Sequence, residues 1–297
     1  MLKSAREIAH LLEQNGYQAY MVGGCVRDYI LGRVPKDYDI TTDATPEQVT
    51  NVMKAENLMV IPTGIDFGTV TVYMNGFPFE VTTFRADGKY DNYRRPENVT
   101  FSNTIEEDLS RRDFTINAIV MDRNGTIYDP FDGREDIIHK RIRTVGKAHD
   151  RFKEDPLRIL RGIRFAVKYG FEISYTTRMA MIGCAPLLMQ VSAERIFSEL
   201  KQIIEYGDNA LDIMEMCGAL QVVIPELMVM KNFDQNNPHH NLDLMKHTQR
   251  VMHNVDGIEL KLAAMFHDAG KPACKDYAND TIAHYYGHAS VSTDIAR

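Results

Sequence analysis

Asp37 and Asp39 stand two apart in the run DYDITT (37–42), and in an extended strand residues at that spacing leave the same face. Their carboxylates can then converge on hard divalent cations, which take oxygen ligands. Asp-x-Asp is also common as a loop or a solvated strand end, so the pair acquires meaning only from its surroundings. A dozen residues earlier, Gly23-Gly24 follows the short apolar run QAYMV (18–22) and precedes the amphipathic CVRDYILG. At such a strand-to-helix turn, bare backbone amides and a helix N-terminus can receive a triphosphate, although Gly-Gly is also an ordinary turn. Glu80, in FPFEVTTF (77–84), adds a third carboxylate if its strand lies beside the aspartates. Simple alternation would instead turn it to water.

The elements that must position these residues are legible in outline. GTVTVYM (68–74) and FPFEVTTF flank Asn75-Gly76, a strong signal for a tight turn, so residues 68–84 are expected to form two antiparallel strands. Thr45-Pro46-Glu47-Gln48 offers an N-cap, a proline at the first helical position and a capping-box glutamine. Ser4 and Glu7 have the same capping spacing near the start of the chain. Residues 86–98, ADGKYDNYRRPEN, have the composition of a mobile loop. Up to about residue 130 β-rich runs mix with helical patterns, and from about 133 nearly everything reads as helix, with apolar spacing as in Ile159, Ile163, Ala166 and Val167. A domain change near 130–140 follows.

At 297 residues the chain can bury two cores, and 44% hydrophobic with 25% charged residues is ordinary for a soluble globular protein. No window supplies the roughly 20 apolar residues of a membrane span, and the N-terminus lacks the apolar core of a secretory signal. A cytoplasmic address away from membranes is expected. Cys25, Cys184, Cys217 and Cys274 form no CxxC pair, which fits plain core residues rather than zinc or disulfides. A net charge of −7 gives no general affinity for nucleic acid, so an RNA site must be local. From His139 to Lys168 ten Lys or Arg face three acidic residues; the alternative is a solvated helix face.

Five runs in order, GGCVRD (23–28), DYDITT (37–42), FEVTTFR (79–85), RRDFTINA (111–118) and EDPLRILR (154–161), resemble the class II tRNA nucleotidyltransferase and bacterial poly(A) polymerase family. The resemblance runs from residue 1 to about 225. It implies an α+β fold: a polymerase-β-like nucleotidyltransferase head with a mixed sheet and helices at 1–138, then an all-α neck and body at 139–228 for nucleotide selection and RNA binding. It implies template-independent addition of CMP and AMP, from CTP and ATP, to the 3′ end of tRNA, by a mechanism using two Mg²⁺ ions. Asp37 and Asp39 would hold the ions and Glu80 would assist, while the RNA 3′-hydroxyl attacks the α-phosphate and pyrophosphate leaves. Gly23, Gly24 and Arg27 would surround the triphosphate. Arg111, Arg112, Asp113 and Asn117 would bind nucleotide phosphate or sugar, although paired arginines before an apolar run are also common surface charges.

Asp155 and Arg158, three apart on an expected helix, would share a face and read one base. A carboxylate accepts from the exocyclic amine of cytosine or adenine and a guanidinium donates to the adjacent ring acceptor, whereas guanine and uracil present carbonyls instead. The alternative is an exposed helix salt bridge worth a few tenths of a kcal/mol. Arg161 and Arg164 extend this face as nucleotide or RNA-phosphate contacts, and Glu194 and Arg195 brace the helices. The resemblance links the loop with Asp91, Arg94 and Arg95 to the switch toward ATP. Its length disfavours addition of CC alone and leaves CCA or terminal A addition. Poly(A) synthesis ranks lower, because the strongly basic tail that usually accompanies it is lacking.

Runs at 239–251, 260–274 and 284–292 (HHNLDLMKHTQRV, LKLAAMFHDAGKPAC, HYYGHASVS) resemble an HD domain, a helical metal-dependent phosphohydrolase module, here partial at 229–297. His247, His267 and Asp268 match its early ligands for a second divalent metal, and His284 and His288 match a later pair. Such domains need a further aspartate on a later helix, and only Asp294 remains before Arg297. The expectation is a fragment of a longer enzyme or an incomplete, inactive HD module. Phosphohydrolysis as the main activity is the alternative; the complete set Asp37, Asp39 and Glu80 argues against it and against a non-catalytic RNA-binding protein.

Overall fold

A computed structural model describes residues 1–87, 90–91, 95–96, 99–236, 242–277 and 282–297. Arg94, and the side chains of Asp91 and Arg95, lie outside the described residues. The chain forms two compact units, Met1–Asp155 and Pro156–Arg297.

The first unit contains strands β1 (Ala19–Val22), β2 (Asp39–Thr42), β3 (Met59–Gly64), β4 (Thr69–Met74), β5 (Phe77–Thr83), β6 (Arg85–Asp87), β7 (Tyr90–Asp91), β8 (Arg95–Pro96), β9 (Val99–Phe101), β10 (Val120–Met121) and β11 (Ile127–Tyr128). Its helices are α1 (Leu2–Gln14), α2 (Gly24–Ile30), α3 (Pro46–Ala55), α4 (Ile105–Ser110), α5 (Gly133–Ile138) and α6 (Ala148–Glu154). Seven strands join in the order β11-β10-β1-β2-β5-β4-β3. The β2–β5 pair is parallel and the others antiparallel, so the sheet is mixed. β6 pairs with β9, and β7 with β8.

The expected hairpin forms as β4 and β5. Asn75 and Gly76 take φ of +53° and +80°, the left-handed pair that a two-residue turn needs. Thr45 caps α3 with its capping box complete. The capping expected at Ser4 does not occur: α1 starts at Leu2 with Met1 as its cap, and Ser4 lies buried inside it, accepting from Asn75 Nδ2 at 3.1 Å. An interior contact to the hairpin outweighs the local spacing.

Alternation sorts the central strands into two faces. Met21, Ile40, Val70 and Val81 share one face and are fully buried, in a sheet against which α1 and α3 pack. Val22, Asp39, Glu80 and Thr71 lie on the other. There Val22, Phe84, Ile105, Leu109, Ala118, Val120 and Val145 make a second core, each large side chain contributing roughly 1.5–3 kcal/mol by burial. That core holds α4 against the strand ends that carry the acidic residues.

The second unit is helical: α7 (Leu157–Tyr169), α8 (Tyr175–Cys184), α9 (Ala193–Tyr206), α10 (Ala210–Met216), α11 (Leu220–Val223), α12 (Leu244–His253), α13 (Ile258–Phe266) and α14 (His288–Ala296). α7 packs on α9 and α12 on α13, with Leu160, Ile163, Ile203 and Ile204 fully buried. The cysteines are unpaired, three of them buried. Among the described residues no helix is long and apolar enough to cross a membrane.

Candidate active site

β1 ends at Val22, which pairs across the sheet with Asp39 at the start of β2. The parallel β2–β5 register matches Ile40 with Val81, so the preceding residues, Asp39 and Glu80, project side by side from the opposite face. Asp37 precedes the strand rather than lying in it, a correction to the expected strand pair. Asp37 and Glu80 are exposed and Asp39 is half-buried. Burial pushes the Asp39 carboxyl up to about 6; repulsion from Asp37 and Glu80 adds to the rise and Arg112 opposes it. The same surroundings hold the neighbouring Cys25 thiol at about 12, mainly through burial and then through Asp39.

Gly23 forms the turn. Its φ is +76°, its amide donates to the Ile119 carbonyl at 3.2 Å, and a Cβ there would stand 3.0 Å from Arg112 Nη1. The backbone favours glycine here, and a Cβ would press on the guanidinium lying against it. Gly23→Ala is expected to cost about 1 kcal/mol or more in thermal denaturation, and to raise the nucleotide KM through displacement of Arg112. An unchanged KM would detach the turn from nucleotide binding.

Arg27, Asp113 and Asn117 come together as a buried chain. Arg27 Nη1 donates to Asn117 Oδ1 at 2.5 Å, and Asn117 Nδ2 donates to Asp113 Oδ1 at 3.1 Å, which also accepts from the Phe114 amide at 2.8 Å. Arg27 also ion-pairs with Asp28 at 3.0 Å. These residues tie α2 to the segment after the paired arginines.

Asp108, which no motif singled out, organises the rest. It is fully buried. Its Oδ1 accepts from Arg111 Nε at 3.0 Å and Nη2 at 2.7 Å, and its Oδ2 accepts from Arg112 Nη2 at 3.2 Å and Thr41 Oγ1 at 3.4 Å. The Arg85 amide adds a bond at 3.3 Å. Burial raises this carboxyl, but Arg112 and Arg111 outweigh it and hold it below the usual range. The available signal was its position three and four residues before the arginines, the spacing of helical ion pairs. Asp136 is a second buried anchor, accepting from Thr115 Oγ1 at 2.6 Å and from Arg143 Nε at 2.8 Å.

Residues 19–143 match the model described as “Poly A polymerase head domain”, and residues 170–231 match “Probable RNA and SrmB-binding site of polymerase A”. A solved structure of the Bacillus stearothermophilus CCA-adding enzyme in complex with CTP aligns with a TM-score of 0.68 and 32% identity, over 89% of this chain and 76% of that one. The chain belongs to the CCA-adding enzyme and poly(A) polymerase family. The CCA-adding enzyme of Geobacillus stearothermophilus is 46% identical over 227 residues, 76% of this chain and 55% of its own length; the chain thus spans about half the length of such curated relatives. A tRNA nucleotidyltransferase complexed with a primer tRNA and an incoming ATP analog aligns at 26% identity with a TM-score of 0.65, over 87% of this chain and 74% of that one.

Asp155 is not helical: it caps the end of α6 in extended conformation (φ −144°, ψ 101°), and Pro156 is the N-cap of α7. The residue before a proline is disfavoured in the helical region, so no common helix face joins Asp155 to Arg158. Arg158 is buried on α7. Arg164 pairs with Glu199 at 3.2 Å and donates to Gln202 at 2.8 Å, and Arg161 and Arg164 both lie over the Phe165 ring. Of the ten basic residues from 139 to 168, only Lys140, Lys147 and Lys153 are exposed.

In the second unit His247, His267 and Asp268 bring one ligand atom each within 4.8 Å of one another, the one such group of three among the described residues. His288 approaches Asp268 at 3.5 Å. His284 instead bridges Asp276 through its backbone and stacks on Tyr286 with ring centroids 5.4 Å apart.

Proposed function

We propose that this chain carries the nucleotidyl-transfer machinery that adds CMP and AMP, from CTP and ATP, to the 3′ end of tRNA, completing CCA without a nucleic-acid template. The observation that carries this is the row Val22, Asp39, Glu80, with Asp37 beside it and the Gly23 turn and Arg112 against its end. Relatives of this chain are named CCA-adding enzymes, and one solved neighbour holds primer tRNA with an ATP analog.

The donors fit two Mg²⁺ ions: they are carboxylate oxygens, and Asp39 is a half-buried carboxyl with two like charges nearby and Arg112 opposing them. Such ions, when bound, lower the pKa of the attacking 3′-hydroxyl and neutralise charge on departing pyrophosphate. The chain's own groups do the placing. Asp37 and Glu80, exposed, are free to turn toward Asp39. Arg111 and Arg112, with directions fixed by Asp108, offer guanidinium donors to phosphate oxygens. Arg27, Asp113 and Asn117 keep the glycine turn in register.

The test incubates the chain and Mg²⁺ with tRNA transcripts ending before CCA, after CC and after CCA, supplying labelled CTP and ATP separately and together. Three residues added to the first transcript only when both nucleotides are present supports CCA addition. A single A on the CC-ending transcript alone makes it an A-adder, and repeated A on all three makes it a poly(A) polymerase. No incorporation on any transcript overturns the proposal.

A further inference from the structure

The second unit gathers three imidazoles and an ammonium around one buried carboxylate, a cluster that the transfer site proposed above does not include. Asp268 is 5% exposed. Its Oδ2 lies 2.7 Å from Lys271 Nζ, 3.1 Å from His267 Nε2 and 3.6 Å from His247 Nε2, and its Oδ1 lies 3.5 Å from His288 Nε2. Two of the imidazoles have their other nitrogen committed: His267 Nδ1 is 2.7 Å from the Ala264 carbonyl and His288 Nδ1 is 2.7 Å from the Tyr285 carbonyl. A carbonyl only accepts, so those Nδ1 atoms carry protons and both Nε2 atoms are left directed at the Asp268 carboxylate. Ligand atoms about 2.0–2.1 Å from a shared ion sit roughly 2.9–3.4 Å apart, close to the spacing found here.

Lys271 places a permanent cation on Asp268 in the metal-free cluster. Its side chain is buried, and its Nζ also donates to Gln235 Oε1 at 3.0 Å and lies 5.5 Å from the Tyr285 ring centroid. The ammonium therefore has a second acceptor and an aromatic face within reach. The segment holding it is pinned: the Gly270 amide donates to Ser292 Oγ at 2.9 Å, and a Cβ on Gly270 would stand 2.5 Å from the His288 carbonyl and 2.7 Å from the Ser292 nitrogen. Only glycine lets α14 approach so closely, so His288 is held near Asp268 before any ion arrives.

We infer that Lys271 is the built-in counter-ion of this cluster: it holds Asp268 in the metal-free chain, and a divalent transition metal ion bound by His247, His267, Asp268 and His288 must displace its ammonium to enter. Three nitrogens and one carboxylate suit Zn²⁺, Co²⁺, Fe²⁺ or Mn²⁺ better than Mg²⁺. Because the ion replaces a cation already on the same oxygen, part of its Coulomb gain is offset, and Lys271 sets the affinity.

The experiment uses untagged, chelator-treated chain carrying Asp39→Ala, which removes the central carboxylate of the sheet unit's site. Co²⁺ is titrated by its visible d–d absorption and Mn²⁺ by calorimetry. One ion per chain is expected, lost in Asp268→Asn. Lys271→Met should bind at least about tenfold more tightly, with a metal-free melting temperature below the parent's that Co²⁺ restores. Lys271→Gln, neutral but still hydrogen-bonding, should shift affinity in the same direction and serves if the Met variant fails to fold. Equal or weaker binding by the folded Lys271 variants, or no ion bound by the parent, overturns the inference. Neither outcome depends on whether the chain extends tRNA.

Discussion

Asp39→Asn is expected to lower nucleotide incorporation on the order of 10³-fold or more, because a cation ligand at the reacting phosphate is worth several kcal/mol of barrier. The same substitution is expected to raise the stability of the metal-free chain at pH 7.5. Burial, reinforced by Asp37 and Glu80, lifts the Asp39 carboxyl from 3.8 to about 6. A group whose folded-state pKa lies above its unfolded value holds its proton more tightly when folded. Its contribution to stability is then fully present below the unfolded pKa and is lost as pH rises through the folded one. Between about pH 4 and 6 the chelated wild type should therefore lose stability that the neutral asparagine keeps, and the gap should persist above that window. Melting temperatures at pH 4 and pH 7.5 with chelator check this: close to equal at the first, higher for the variant at the second. Mg²⁺ at pH 7.5 should then raise the wild type more than the variant. A variant that retains activity, or one whose melting temperature follows pH as the wild type's does, would remove Asp39 from the centre of the site.

Local chemistry made some of this structure legible and tertiary chemistry hid the rest. Asn75-Gly76 could be read because few residues tolerate two successive positive φ values, and Thr45 because its capping partner is three residues away in the chain. The Asp39–Glu80 juxtaposition was only conditional in the sequence, since it depends on β5 lying parallel beside β2, a pairing between strands far apart in sequence. Ser4 lies inside α1 rather than capping it; capping spacing carries no information about the hairpin side chain that reaches it. The helical placement expected for Asp155 fails because Pro156 follows it, and the proline's steric effect on the preceding residue outweighs helical spacing. The His288 and His284 positions diverge because one is drawn to Asp268 and the other to Tyr286, a distinction that even spacing cannot make.

Asp108→Asn is expected to show that the paired arginines act through a buried carboxylate that itself touches no substrate. α4 opens with Glu106, Glu107 and Asp108, and the sequence alone does not say which is structural. In the structure Asp108 is unexposed, while the side chains of Arg111 and Arg112 keep 15% and 21% of their surface. Asparagine preserves the shape but removes the charge and turns an N–H₂ toward one guanidinium. Breaking one side of such a partly buried ion pair should cost about 2–4 kcal/mol, read by urea denaturation. With their directions released, Arg111 and Arg112 should bind nucleotide phosphate less well, so the KM for CTP and ATP should rise about tenfold or more, with a smaller fall in kcat. Adding Arg112→Met separates this from general loosening. If Asp108 acts through Arg112, the double variant should be more stable than the sum of the two single losses predicts, by about 1 kcal/mol or more, because the unpaired guanidinium has gone. Its KM should also exceed that of Arg112→Met by less than Asp108→Asn exceeds the wild type. Strict additivity in both measurements would mean that Asp108 only supports α4, and the arginines would then owe their placement to the Gly23 turn.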